Sequence, residues 1–194
     1  MVLVAFVVSV GLAVLGQAFL HQVPRFGSRT SSPPYSSQVD DKAVVMQYFN
    51  NEGFDRWSKI YSESGEVNKV QLDIRTGHQQ IIDKVLGWIE NEDNRKKTVC
   101  DVGCGVGSLS IPMASKFKLV YASDISAAMT FEAHSRAQFR GVRNMQVETK
   151  DMDNLTGSYD TVTCIDVMIH YPSDKVGGCV GVLIKTVVCM YELG

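Results

Sequence analysis

The sequence predicts an open α/β sheet of parallel strands with helices on both faces, and two features predict it. The first is Thr98 to Ser110, TVCDVGCGVGSLS, a β-branched run that ends in an acid and then places glycines at alternate positions, Gly103, Gly105 and Gly107. The second is the stretch that follows, where short apolar runs at Leu119 to Ser123, Met145 to Glu148 and Thr161 to Ile165 are interleaved with helical patterns. A strand, a tight glycine turn and a helix start form a ligand crevice beyond the carboxyl end of the first strand of such a sheet.

Taken in order, the first twenty residues, MVLVAFVVSVGLAVLGQAFL, carry no charge and read as a signal peptide over residues 1–18, cut between Ala18 and Phe19. A retained amino-terminal anchor is the alternative, because a run of this length is marginal for a membrane span. Residues 19–39 are rich in Ser, Thr and Pro and hold Arg25 and Arg29 but no acid, which is the composition of an organelle transit peptide too polar to fold. A signal peptide followed directly by a transit peptide resembles the two-part leaders of algae with secondary plastids, so a chloroplast is the expected compartment.

Residues 40–97 read as a helical arm. Val44, Val45, Tyr48 and Phe49 make one apolar face at helical spacing, broken at Asn50 to Gly53. Val67, Val70, Ile74, Ile81, Val85 and Ile89 continue as an amphipathic stripe that would pack on a sheet. Thr76 and Gln79 fit a capping box, which predicts a helix from about Gly77 to Glu90 with Gly77 between two helical pieces.

Residues 98–172 read as the α/β core. A helix is expected from about Ser108 to Lys116, with Pro112 near its first turn, and another over Ser126 to Phe139 with Ser126 as its cap. The last strand, in YDTVTCIDVMIHYP, ends at the same edge as the glycine loop, so Asp166, His170 and Tyr171 should line the crevice.

The residues of the loop narrow its ligand. Asp101 would repel a pyrophosphate but suits a ligand bearing an ammonium and a sulfonium, and S-adenosylmethionine is one. Ser108 also departs from a dinucleotide fingerprint. Asp124 ends the next strand about 20 residues after the first glycine, where a carboxylate binds both ribose hydroxyls. Asp151, after the third strand, is placed either to reach an adenine amino group or to stand as a solvated loop acid. Cys104 could touch the ligand through its backbone.

With a net charge of -2 and 21% charged residues, the chain shows no basic stripe for nucleic acid. Five cysteines without paired CxxC spacing argue against a zinc site or a disulfide framework, and no metal ligands are expected.

The segments YFNNEGFDRWSKIY, EVNKVQLDIRTGHQQ, CDVGCGVGSLSIP, SDIS and CIDVMIHYP together closely resemble the magnesium-protoporphyrin IX O-methyltransferases of chlorophyll biosynthesis, from about Lys42 to Pro172. The resemblance implies a Rossmann-like class I methyltransferase sheet. It also implies methyl transfer from S-adenosylmethionine to the ring C propionate of magnesium protoporphyrin. It marks His170 and Tyr61 as the catalytic pair. Asp101, Gly103, Cys104, Gly105, Asp124, Ile125, Asp151 and Met152 are marked as cofactor contacts. Peripheral attachment to a plastid membrane and contact with magnesium chelatase are the partner expectations. Phe54 and Trp57 either face the macrocycle or pack in the core, the second being the plainer reading.

After Pro172 the resemblance stops, and residues 173–194, SDKVGGCVGVLIKTVVCMYELG, read as a divergent tail. The expectation is therefore a chain that lacks the later strands of a seven-stranded sheet and leaves the Thr161 strand near an edge. Three other readings stay open: a quinone or phenol methyltransferase sharing the same cleft, an inactive fragment that binds porphyrin or a protein, and a nicotinamide-dependent reductase, which Asp101 and Ser108 disfavour.

Overall fold

The computed structural model describes residues 4–7, 41–62, 67–90, 94–171, 178 and 181. The rest of the expected signal peptide, the expected transit segment and nearly all of the expected tail lie outside these residues.

Among the described residues five parallel strands form one sheet, β1 (Val4–Val7), β2 (Thr98–Val102), β3 (Leu119–Asp124), β4 (Met145–Thr149) and β5 (Thr161–Ile165), in the spatial order β1-β5-β2-β3-β4. Among β2 to β5 the chain moves outward from β2 through β3 to β4 and then returns to the other side of β2. The order therefore reverses between β2 and β5, and a crevice opens above their carboxyl ends. The register sets Asp101 beside Ala122 on one neighbour and Thr163 on the other. The expected edge position of β5 is corrected: all five of its residues are buried, and Val4–Val7 pairs along its outer side, Val4 beside Val162 and Val7 beside Ile165.

Five helices accompany the described strands: α1 (Asp41–Asn50), α2 (Glu52–Ile60), α3 (Lys69–Glu90), α4 (Ser110–Met113) and α5 (Ala127–Phe139). The break expected at Gly77 is absent, because α3 starts about two turns earlier, at Lys69. Asn68 Oδ1 accepts from the Gln71 amide at 2.9 Å while Gln71 Oε1 accepts from the Asn68 amide at 3.1 Å, so the capping box belongs to this pair. Thr76 instead donates its hydroxyl back to the Leu72 carbonyl. The core stripe is also shorter than predicted. Ile82, Val85 and Ile89 are buried, whereas Val70 and Leu72 are exposed.

Length explains the difference. At 1.5 Å per residue, 22 residues make a helix of roughly 33 Å, about twice the reach of a five-residue strand. The first half of α3 therefore overruns the carboxyl ends of the strands and is left at the crevice.

The expected helix over 108–116 shrinks to a single α-helical turn. The amides of Ala114 and Ser115 bond back only three residues, to Ile111 and Pro112, which tightens the chain out of α geometry. Ser126 caps α5 as expected, accepting from the Met129 amide at 3.2 Å.

One face of the sheet packs Val99 and Val120 against Ile82, Val85 and Ile89 of α3 and Leu109 and Met113 around α4, and Ala122 against Ala133 of α5. On the other, Cys100, Val102, Val162 and Cys164 pack with Met152 and Tyr159. Cys100, Cys104 and Cys164 are all buried in this interior.

Candidate functional site

The glycine loop follows from backbone geometry. Gly103, Gly105 and Gly107 have φ values of 71°, 52° and 83°, in the left-handed region that glycine enters without penalty. Their surroundings differ. A Cβ on Gly103 would lie 2.1 Å from Val167 Cγ2, and one on Gly107 3.1 Å from Ile111 Cδ1, so these two glycines serve close packing. A Cβ on Gly105 would meet nothing within 4 Å. Gly105 is thus the loop residue whose backbone lies open to a ligand. The amides of Gly103 and Cys104 both donate to the Ser123 carbonyl, at 2.7 and 2.9 Å, which ties the loop to β3.

Asp124 closes the other side. One carboxylate oxygen accepts from the Gly105 amide at 2.9 Å and the other from the Ser126 amide at 2.9 Å, and burial pushes its pKa up against these amide donors. A carboxylate at a strand end, next to an open loop and a helix start, is suited to a diol. Ile125 is half-buried beside it. Asp151 and Met152 open the 3-10 turn Met152–Asn154. Asp151 caps it through the Asp153 amide and binds Lys42 Nζ of α1 at 2.8 Å, while Met152 is buried under the sheet. Lys42 also pairs with Asp153.

Asp101 sits beneath the loop. Its side chain is buried and both oxygens are engaged, one by the Ser110 hydroxyl and one by the Thr163 hydroxyl at 2.7 Å. Burial pushes its carboxyl up to about 6 in spite of these two donors. The structure therefore gives Asp101 to the bracing of β2, β5 and α4.

His170, Asp166 and Tyr61 converge at the carboxyl end of β5. His170 lies in the 3-10 turn Met168–His170, its ring edge-on to Phe49 of α1 with centroids 5.1 Å apart. Burial lowers its pKa to about 4, opposed by the Asp166 charge, so near neutral pH the imidazole is uncharged. Asp166 has φ 57°, the one non-glycine residue with positive φ among those described. Burial, with Asp166 second, raises the Tyr61 phenol well above its ordinary range. Tyr171, expected at the crevice, packs instead with the cluster around Cys100 and Met152.

The arm carries Tyr61 to this place. Arg136 of α5 donates to the Tyr61 carbonyl at 2.8 Å and Arg75 of α3 to the Ile60 carbonyl at 2.6 Å, so two guanidiniums hold the carboxyl end of α2. At the end of α1, Asn50 Oδ1 accepts from the Ser126 hydroxyl at 2.9 Å and the Ala128 amide at 3.1 Å. Trp57 stacks on Tyr61 at 5.5 Å, and Tyr61 on His78 of α3 at 4.3 Å. Asn50, Arg75, His78 and Arg136 carried no role in the sequence reading. The one signal available for His78 and Arg75 was their place on the sheet-facing side of a helix, where apolar residues would be expected.

The protein-family model "Methyltransferase domain" matches residues 99–183. The magnesium-protoporphyrin O-methyltransferase of Synechocystis sp. is 50% identical over 143 residues, 72% of this chain and 62% of that protein. A crystal structure of the magnesium protoporphyrin IX methyltransferase from Synechocystis PCC 6803 with bound S-adenosylmethionine superposes with a TM-score of 0.76 at 46% identity, over 79% of this chain and 75% of that one. The chain belongs to the magnesium-protoporphyrin O-methyltransferase family. A third relative, the chloroplastic magnesium protoporphyrin IX methyltransferase of Arabidopsis thaliana, is 49% identical over 72% of this chain and 46% of its own length. The chain thus spans about half to three-fifths of the length of these curated family members.

Proposed function

We propose that the protein transfers the methyl group of S-adenosylmethionine to the ring C propionate carboxylate of magnesium protoporphyrin IX, yielding the monomethyl ester and S-adenosylhomocysteine. The observation that carries the reading is the meeting of two half-sites at one sheet edge: an open Gly105 loop flanked by Asp124, and a half-buried His170 against Phe49 of the arm that brings Tyr61. Family members close to 50% identical are named for this reaction.

The residues fit the cofactor. Asp124 would take the ribose hydroxyls, with Ile125 beside it. Gly103 and Cys104 would set the loop against β3 so that the open Gly105 backbone faces the chain that joins ribose to the amino acid, and Asp151 and Met152 would frame the adenine. Asp101 would act from below, as the charge and brace under the loop. When bound, S-adenosylmethionine supplies an electrophilic methyl on a sulfonium.

The chain's own groups then have little proton work to do. A propionate is already ionised near pH 7, so no strong base is needed. Uncharged His170 can donate one N–H to the carboxylate and fix its direction without the full attraction of a cation, which would make the nucleophile less reactive. Phe49 packs edge-on against His170 and Tyr61 stacks on His78 beside Asp166, so the arm would cover this end of β5 and exclude water, which would otherwise solvate the anion.

The test uses the protein at its native full length with methyl-labelled S-adenosylmethionine and either magnesium protoporphyrin or a quinone precursor. Label in the porphyrin monomethyl ester is expected. Label in the quinone alone refutes the reading. The same reading places the protein in a plastid, supported by the transit-like composition of residues 19–39 and by the chloroplastic Arabidopsis thaliana relative. Peripheral membrane attachment and magnesium chelatase contact belong to this proposal, and co-sedimentation with plastid membranes checks the first.

A further inference from the structure

His78 occupies an unusual position. It projects from the part of α3 that overruns the sheet, its side chain is 17% exposed, and its Nδ1 is buried without a hydrogen-bond partner. Asp166 Oδ2 lies 3.6 Å from it, a separation that allows attraction but not a formed hydrogen bond. On its flat side the imidazole stacks on Tyr61, with centroids 4.3 Å apart and planes inclined by 30°. Tyr61 in turn stacks on Trp57 at 28°. Three rings from two helices thus form a ladder whose last rung touches the end of β5.

Asp166 supplies the second observation. It is held at φ 57°, a backbone state that costs a non-glycine residue free energy and persists where surrounding structure imposes it. From there its carboxylate lies 3.6 Å from His78 Nδ1, and its charge also raises the Tyr61 phenol.

We infer that His78 is a positioning residue: its ring is the shelf on which Tyr61 lies, and Asp166 fixes the angle of that shelf relative to the strand end that also leads to His170. The inference rests on the methyl-transfer reading for its kinetic consequence but not for its geometry. Arg136 holds the Tyr61 carbonyl and Arg75 the Ile60 carbonyl before it, and both bonds go to backbone oxygens and not to the Tyr61 side chain. The shelf constrains that side chain, and a displacement of about 1 Å in a site governed by alignment costs on the order of 100-fold in rate.

The experiment compares His78→Ala and His78→Phe in the full-length protein. It reads kcat and KM with magnesium protoporphyrin, the Kd for S-adenosylhomocysteine, and near-ultraviolet circular dichroism in a Trp88→Phe background that isolates Trp57. His78→Ala should lower kcat by on the order of 100-fold, leave the S-adenosylhomocysteine Kd within about threefold, and weaken the aromatic dichroism. His78→Phe restores a flat ring and should recover kcat to within about tenfold of wild type, along with the dichroism.

A kcat kept within about threefold in His78→Ala overturns the inference, as does an equal loss in cofactor affinity, which would make His78 a ligand contact. A Phe variant no better than Ala also overturns it. If the wild-type protein fails to esterify magnesium protoporphyrin, the substrate reading falls, and the dichroism alone decides His78: weakened in Ala and restored in Phe supports the shelf, unchanged in Ala refutes it.

Discussion

Replacing Gly103 and Gly105 separately by alanine should divide stability from ligand binding, although the two stand two residues apart on one loop. Both have positive φ, so each alanine pays the left-handed cost of roughly 1–2 kcal/mol. At Gly103 the new Cβ would also lie 2.1 Å from Val167 Cγ2, far inside contact distance, and overpacking of this kind adds about 1–3 kcal/mol. The total for Gly103→Ala is about 2–5 kcal/mol, which for a chain of this size lowers Tm by roughly 5–15 °C.

Gly105→Ala meets no atom within 4 Å and should lose only the backbone part, roughly 2–6 °C. Its methyl group would project into the space where the ligand backbone must pass. The assay is thermal melting of the full-length protein with and without S-adenosylhomocysteine. At 1,000 times Kd a bound ligand stabilises by about 4 kcal/mol, an increment that Gly103→Ala should keep and Gly105→Ala should lose. Equal destabilisation by the two variants, or a full ligand increment in Gly105→Ala, would refute the assignment of Gly103 to packing and Gly105 to the ligand.

Other variants test the rest of the site. For Asp101, whose folded pKa of about 6 is raised above its unfolded value, the native state binds the proton more tightly; stability is therefore lost as pH rises between about 4 and 6. Asp101→Asn should flatten the fall of stability from pH 4 to 7 by up to about 3 kcal/mol in denaturant titrations, and an unchanged slope would show that the carboxyl is not buried. Asn50→Ala removes the acceptor of the Ser126 hydroxyl and the Ala128 amide and should cost about 1–2 kcal/mol in urea unfolding. His170→Phe should lower turnover far more than it weakens S-adenosylhomocysteine binding in calorimetry; equal losses would contradict a substrate-side role.

The sheet and its glycine loop were legible because they follow from local rules. A β-branched run, a glycine that must take positive φ and an acid at the next strand end each point to one structure. Gly103 and Asp124 accordingly lie at the crevice that the sequence predicts. The roles of the three glycines were not legible, since what separates Gly105 from Gly103 is the distant Val167 side chain. Helix starts failed for a related reason. Thr76 with Gln79 and Asn68 with Gln71 are both plausible boxes, and the choice depends on how far the helix can run past the sheet before it meets the arm. His78 was hidden by the same overrun, because an amphipathic stripe shows which residues share a face and not where the sheet beneath them ends.

The arm and the cofactor side of the crevice are not independent parts. From Asn50 of α1, hydrogen bonds pass to Ser126, from the Ser126 amide to Asp124, and from Asp124 to the Gly105 amide, so a shift of the arm acts on the carboxylate that borders the open loop. Farther along, Arg136 on the same helix α5 holds the Tyr61 carbonyl, and its guanidinium is oriented by Glu132 at 2.7 Å. Helix α5 therefore touches the carboxyl ends of both α1 and α2 while its own first turn abuts Asp124. In a reaction whose rate depends on the alignment of a carboxylate with a methyl group, one rigid element that references both partners is an economical solution. Ser126 is fully buried at that junction, its one hydroxyl proton shared between Asn50 Oδ1 and the Phe49 carbonyl while its oxygen accepts from the Met129 amide, which leaves it no spare freedom. The small polar residue that caps a helix is here also the joint between the two halves of the site.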